Sequence, residues 1–179
     1  MPKVSIVLPC YNGAALLGQA VESCINQTFK DWELIIVNDC STDNTLEVAN
    51  AYAQKDERIH VYTNETNSKL PATLNNGFRR ATGEYWTWTS DDNILHPDML
   101  ETMVSYLDKH EDVGCVVSDS YVIDENGKQL TIKSLSATDG VLLTVEVPKE
   151  STALKVLYAP SVLTPSSMQS TISAEATQL

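Results

Sequence analysis

Residues 4–45 read VSIVLPCYNGAALLGQAVESCINQTFKDWELIIVNDCSTDNT, and this stretch decides the fold. It contains two apolar runs, residues 4–9 and 32–39, which are typical of strands covered on both faces of a sheet. Between the runs, apolar residues recur at steps of three and four, as on one face of a helix: Leu17, Ala20, Val21, Cys24, Ile25 and Phe29. A strand, a helix and a second strand in this order predict a parallel pair joined by a crossover helix.

The same alternation continues to about residue 120. Strand patterns occur in RIHVYTN, EYWTWT and VGCVVSD, and helix patterns follow CSTDNT and occur in LPATLNNGFRRATG and HPDMLETMVSYLDKH. We expect Asn12 to cap the first helix, Gly83 to end the third, and a hairpin to turn at Asn126-Gly127. The whole pattern predicts an α/β fold with a mostly parallel sheet flanked by helices.

Length, charge and cysteine content exclude several classes of protein. A chain of 179 residues is long enough for one domain with a substantial core. Its net charge of −12 argues against nucleic acid as a partner, because nucleic-acid binding needs clustered lysine and arginine. No apolar stretch approaches the roughly 18 residues that a transmembrane segment needs, and the N-terminus lacks a signal-peptide core, so we expect a cytoplasmic protein. The four cysteines are spread out, without a C-x-x-C pair.

Acidic residues follow two of the predicted strands. Asp39 ends the second strand, and Asp91 and Asp92 lie side by side after the fourth. In a parallel sheet the carboxyl ends of the strands share one edge, which is where ligands bind. Adjacent carboxylates repel each other, so solvent, a basic neighbour or a metal ion must offset the repulsion. Alternatively, Asp91, Asp92 and Asn93 cap the following helix, and Asp39 caps a turn.

The long N-terminal block, followed by TSDDN at residues 89–93, resembles the family 2 glycosyltransferases, which have a GT-A (Rossmann-like) fold. The resemblance covers about residues 3–130. It implies inverting transfer of a sugar from a nucleotide-diphosphate sugar (UDP-, dTDP- or GDP-linked) to an acceptor hydroxyl of unknown identity, assisted by Mg²⁺ or Mn²⁺, as in polysaccharide biosynthesis. We predict a nucleotide-sugar-binding domain at residues 1–135. Residues 136–179 are predicted to be a divergent tail, truncated or poorly ordered, since Ser, Thr and Ala dominate its end.

The resemblance also implies roles for individual residues. Asp92 matches the metal-binding acidic motif, with Asp91 on the ribose or in the metal shell. Asp39 matches the aspartate that binds the nucleotide base, although a turn cap is about as good a local explanation. Pro9 and Tyr11 match the first loop, where an aromatic ring can stack on the base; the alternative for Tyr11 is a half-buried packing residue. Lys69 is a candidate point charge for the diphosphate, and a solvated surface lysine is its simpler interpretation.

The sequence departs from the family pattern at three places. Thr89 stands where many relatives have a further aspartate, and Leu74 stands near the position of an arginine. No acidic pair followed by an aromatic-rich helix occurs after residue 112, so the catalytic base is unknown. Glu111-Asp112 comes too early, while Asp119 and Asp139 resemble no base of the family. The alternative function is therefore a non-catalytic or truncated nucleotide-sugar-binding domain. A dinucleotide-dependent oxidoreductase is disfavoured, because G-x-G-x-x-G is absent from the first turn.

Overall fold

Strands and helices alternate as far as residue 117, as the sequence predicts. In a computed structural model, the residues described are 1–118, 120–123, 129–133, 143–146 and 155–158. The elements are β1 (Val4–Cys10), α1 (Leu17–Ile25), β2 (Trp32–Asn38), α2 (Thr45–Ala53), β3 (Ile59–Thr63), α3 (Lys69–Phe78), β4 (Tyr85–Trp88), α4 (Met99–Lys109), β5 (Val113–Val117), β6 (Ser120–Ile123), β7 (Gln129–Lys133), β8 (Leu143–Glu146) and β9 (Lys155–Tyr158). No helix in this part of the chain has the length and apolar character needed to cross a bilayer.

The described strands form one large sheet and one small one. The large sheet has the order β3-β2-β1-β4-β9-β5-β8, and only β8 runs antiparallel to its neighbour. The predicted α/β fold with a mostly parallel sheet is therefore confirmed. Strands β6 and β7 pair antiparallel, as the predicted hairpin requires, while its turn at Asn126-Gly127 lies outside the described residues. Strands β8 and β9 place residues 143–146 and 155–158 in the large sheet, and the division at residue 135 stays a prediction.

Side chains of β1 and β2 alternate between two cores, one on each face of the sheet. On one face, Val7, Ile35 and Val37 pack against α3. On the other face, the opposite set of strand residues packs with α1, α2 and α4. Helix α3 lies very close to the sheet, since a Cβ added at Gly77 would meet Val7 Cγ1 at 2.3 Å. Because both faces are covered, β1 and β2 are buried along their whole length, which explains why most of their residues are apolar.

Two expected helix boundaries are wrong. Asn12 does not cap α1, which begins at Leu17 with no side-chain cap; the Asn12 side chain instead accepts a hydrogen bond from the Thr42 amide. Gly83 does not end α3, which stops at Phe78. Gly83 is instead needed for close packing, because a Cβ there would lie 2.7 Å from the backbone nitrogen of Ser5. Tertiary contacts decided both positions.

Candidate active site

The carboxyl ends of β1, β2 and β4 meet at one edge of the sheet. From β1 the chain adds β2 and then β3 on one side, and β4 returns to the other side of β1. This reversal creates the crevice in which α/β proteins bind ligands. The Asp39 amide donates to the Cys10 carbonyl at 2.8 Å, and the Thr89 amide donates to the Val7 carbonyl at 2.9 Å. Asp39 and the segment that leads to Asp91 and Asp92 are thereby both attached to β1.

The loops that follow β1 and β2 are joined by hydrogen bonds. The Asn12 amide donates to Ser41 Oγ at 3.0 Å, and the Thr42 amide donates back to Asn12 Oδ1 at 2.8 Å. Asn12 adopts a φ of 53°, a left-handed conformation that asparagine tolerates. The Gly13 amide donates to Thr45 Oγ1 at 3.0 Å, at the start of α2. These bonds hold the loop after β1 against the loop after β2.

Asp91 is packed against the first loop. A Cβ added at Gly13 would lie 1.9 Å from Asp91 Oδ2, so this approach needs glycine. Burial, followed by the charge of Asp92, raises the pKa of the Asp91 carboxyl to about 6, although Ser90 and the Tyr11 amide donate hydrogen bonds to it. The ionised carboxylate is therefore poorly stabilised in the ligand-free protein, and a cation bound there would relieve this cost.

Asp39 has the opposite environment. Its side chain is buried, and Oδ1 accepts hydrogen bonds from Asn64 Nδ2 at 2.8 Å and the Ser68 amide at 2.7 Å. Oδ2 accepts from the Lys69 amide at 2.9 Å. Burial opposes ionisation, yet the hydrogen bonds outweigh it and hold the pKa of Asp39 below its ordinary value. Ser68 and Lys69 begin α3, so Asp39 caps this helix from a distant part of the chain.

Carboxylates dominate the electrostatics of the crevice. Burial and then the charges of Asp91, Asp43 and Asp39 raise the pKa of the Cys10 thiol to about 12, which shows that three carboxylates act on one point at the end of β1. Among the described residues, Lys3 pairs with Glu84 and Asp108, and Arg58 pairs with Asp56, so these ion pairs do not use Asp39, Asp43 or Asp91. The crevice thus has a negative field that a bound diphosphate must overcome.

The acidic turn fits a hard divalent cation that takes only part of its ligand shell from the protein. Carboxylate oxygens are the preferred ligands of Mg²⁺ and Mn²⁺. Within the described part of the chain, no three His, Cys, Asp or Glu side chains are grouped as a metal site. Asp91 and Asp92 would therefore supply one or two ligands, and a diphosphate and water would complete the shell.

The other predicted site residues have varied positions. Tyr11, just after β1, is 48% exposed and is free to present its ring to a base. Pro9 lies inside β1 and is buried, at the level of Val37. Lys69 is exposed at the start of α3 with a φ of 68°. Thr89 is fully buried where relatives have an aspartate, and it leaves one carboxylate fewer beside β1.

The candidate catalytic bases remain outside the crevice or outside the described residues. Glu111 and Asp112 are exposed just before β5 begins, and β5 runs parallel to β9, which runs parallel to β4. They therefore lie at the opposite edge of the sheet from Asp91. Asp119 and Asp139 are not among the described residues.

Two residues that shape the crevice were not singled out from the sequence. Gly13 allows the approach of Asp91, and its only sequence signal is its place in the tripeptide Tyr-Asn-Gly after a buried strand. Asn64 joins Asp39 to Asn76 of α3, donating to Asp39 and accepting from Asn76 Nδ2 at 2.9 Å. This link connects three segments that are distant in sequence, and so no local pattern indicates it.

The sheet is mostly parallel, its strand order reverses at β1, and Asp39, Asp91 and Asp92 follow the carboxyl ends of its strands. This arrangement defines a GT-A-type α/β domain. The chain belongs to glycosyl transferase family 2, whose family model matches residues 5–165. The predicted family resemblance is therefore confirmed.

Curated relatives and solved structures agree with this assignment. The putative glycosyltransferase EpsE of Bacillus subtilis is 39% identical over 127 residues, which cover 70% of this chain and 46% of EpsE. An uncharacterized glycosyltransferase of Haemophilus influenzae is 30% identical over 173 residues, covering 90% of this chain and 68% of that protein. The crystal structure of S. aureus TarS 1–349 in complex with UDP-GlcNAc superposes with a TM-score of 0.61 at 28% identity, covering 72% of this chain and 37% of that one. The chain thus spans less than half of EpsE and of the TarS fragment.

Proposed function

We propose that this chain binds a nucleotide-diphosphate sugar together with Mg²⁺ or Mn²⁺ at the edge formed by β1, β2 and β4. In the whole protein it would transfer the sugar to an acceptor hydroxyl with inversion. The observation that carries the proposal is the position of Asp91 and Asp92 just after β4, where Asp91 is packed against Gly13 in the loop that follows β1. Two adjacent carboxylates suit a hard cation, and a cation is what a diphosphate needs in an acidic crevice.

Each predicted residue has a role in this proposal. Asp92 would bind the metal, with Asp91 as a second ligand or as an acceptor for the ribose. The metal would act as a Lewis acid that stabilises negative charge on the departing nucleotide diphosphate. Tyr11 would stack on the base, at the end of β1 where Pro9 lies. Lys69 would add a positive charge near the diphosphate.

Asp39 would read the base, and its existing hydrogen bonds favour a pyrimidine. A carboxylate has about four acceptor positions. Oδ1 accepts from Asn64 Nδ2 and the Ser68 amide, Oδ2 accepts from the Lys69 amide, and a side-chain hydrogen bond from Thr73 also lowers the pKa of the group. Because most acceptor positions are already used, Asp39 suits the single imide N–H of uracil or thymine better than the two adjacent donors of guanine. The UDP-GlcNAc bound to TarS supports the same choice, so we propose UDP or dTDP as the nucleotide.

The acceptor and the catalytic base require residues that have yet to be assigned. EpsE and TarS both extend well beyond the region matched here, and we propose that such a region supplies the acceptor site. By itself the chain would then bind the donor without transferring the sugar, which is the alternative function considered above. A polysaccharide acceptor and a cytoplasmic location stay predictions.

Calorimetric titration with UDP, dTDP and GDP, each in Mn²⁺ and in EDTA, tests the donor site. We expect UDP or dTDP to bind in Mn²⁺ about tenfold or more tightly than in EDTA, and more tightly than GDP. Equal affinity in Mn²⁺ and EDTA would contradict the metal assignment. Tighter binding of GDP would contradict the role given to Asp39. Transfer of sugar to any added acceptor would exclude the non-catalytic alternative.

A further inference from the structure

A fully buried glutamine joins the end of α1 to the segment that follows the acidic turn. Gln27 is 0% exposed. Its Nε2 donates to the Ser23 carbonyl at 3.1 Å and to the His96 carbonyl at 2.7 Å. Its Oε1 accepts from the Leu100 amide at 3.0 Å, in the first turn of α4. Both the nitrogen and the oxygen of the Gln27 side-chain amide are therefore hydrogen-bonded. The oxygen caps α4, whose own N-cap residue makes no side-chain hydrogen bond to the helix.

Neighbouring residues extend this contact along the same segment. Ser23 Oγ accepts from the Leu95 amide at 3.1 Å and donates to the Ala20 carbonyl at 2.7 Å. The Thr28 amide donates to the Pro97 carbonyl at 2.9 Å. The end of α1 thus holds residues 95–100 by hydrogen bonds to four of their backbone groups. We call Ser23, Gln27 and Thr28 the α1 clamp.

The acidic turn lies between two fixed points. Upstream, the Thr89 amide is bound to the Val7 carbonyl of β1, and the Asn93 amide closes a turn onto the Ser90 carbonyl at 3.2 Å. Downstream, the clamp begins at Leu95, only three residues after Asp92. Because so few residues separate Asp92 from Leu95, a shift of the clamped segment must be transmitted to the carboxylate.

We infer that Gln27 is a positioning residue for the metal–diphosphate site, which it does not touch. This inference rests on the proposed function, because it assumes that Asp92 binds a metal. The clamp would hold Asp92 in place before the ligand arrives, so that binding need not order the turn. Residues that orient metal ligands from outside the ligand shell typically change metal affinity by about 10–100-fold when they are replaced.

The test compares two variants that each remove a buried side chain with three hydrogen bonds. Gln27→Leu removes the Gln27 hydrogen bonds of the clamp. Glu33→Leu is the matched control, because Glu33 Oε1 accepts from Ser5 Oγ, the Thr82 amide and Thr82 Oγ1. Glu33 is the second residue of β2, at the end of the sheet opposite the acidic turn. The measured quantity is the ratio of the UDP dissociation constant in EDTA to that in Mn²⁺, alongside the melting temperature.

We expect Gln27→Leu to lower this ratio by about tenfold, with an unchanged affinity in EDTA. Glu33→Leu should lower the melting temperature while keeping the wild-type ratio. Ser23→Ala, which removes one acceptor of the clamp, should lower the ratio by a smaller factor, and it decides the question if Gln27→Leu does not fold. Wild-type ratios in the clamp variants would overturn the positioning role while leaving the proposed function intact. A ratio of one in the wild-type protein would overturn both.

Discussion

The carboxylates at the ends of β2 and β4 share an edge of one sheet, yet they are in opposite electrostatic states. Asp39 accepts hydrogen bonds from the Asn64 side chain and from the Ser68 and Lys69 amides at the start of α3, and its pKa is lowered. Asp91 lies against Gly13 beside a second carboxylate, and its pKa is raised to about 6. Asp39 therefore stabilises the ligand-free fold, whereas Asp91 costs it stability. Under the proposed function, a cation bound beside Asp91 and Asp92 would offset this cost.

The largest effect should come from removing the predicted metal ligand. We expect Asp92→Ala to weaken UDP binding in Mn²⁺ by about 100-fold, because the cation loses a direct carboxylate ligand, while the melting temperature stays close to that of the wild-type protein. Calorimetry and thermal unfolding measure the two quantities. Asp112→Ala is the control, since it removes an exposed acid at the opposite edge. Unchanged metal-dependent affinity in Asp92→Ala would contradict the proposal that the cation binds after β4, and with it the contrast between this site and Asp39.

A smaller effect is expected at Asp39, on stability. Asp39→Asn removes the negative charge that the Ser68 and Lys69 amides share, so the free energy of unfolding should fall by about 2 kcal/mol at pH 7.5. Because the folded pKa of Asp39 is lowered, its contribution is present above the unfolded pKa and is lost as the pH falls below about 4. Denaturant unfolding at pH 7.5 and pH 3 should show this loss. A pH-independent difference would contradict the charge-based explanation.

The smallest effect should have the opposite sign. Asp91→Asn should raise the free energy of unfolding of the ligand-free protein by about 1 kcal/mol at pH 7.5, after allowance for partial exposure. The folded pKa of about 6 lies above the unfolded value, so the ionised group costs stability as the pH rises from about 4 to about 6. At pH 4 the variant and the wild-type protein should therefore be equally stable. A loss of stability at pH 7.5 would remove the contrast with Asp39.

The strands were predictable because their patterns are local. β1 and β2 are buried on both faces, and their apolar runs mark them to within one residue. The helix boundaries were less predictable, because their capping groups come from elsewhere in the chain. The start of α3 is capped by Asp39, and the first turn of α4 by Gln27. Neither cap is within three residues of its helix, which is the range that sequence patterns for capping cover.

The candidate site shows the same division. The sequence placed Asp39, Asp91 and Asp92 at strand ends, and the family resemblance supplied roles for them. The sequence could not indicate that hydrogen bonds would lower the pKa of Asp39 while burial would raise that of Asp91, since the two residues differ only in their surroundings. Nor could it indicate Gly13, whose importance depends on the approach of a residue 78 positions away.

The sequence by itself determined the alternation of strands and helices, the parallel sheet and the edge that carries the acidic residues. Burial on two faces and helical periodicity both produce local patterns of apolar residues, which can be recognised in the sequence. Only the tertiary structure decided that hydrogen bonds outweigh burial at Asp39 and lower its pKa, while burial and the charge of Asp92 raise the pKa of Asp91. The physical reason is that pKa values depend on burial and on neighbours within a few ångströms, and in a parallel sheet those neighbours come from distant parts of the chain.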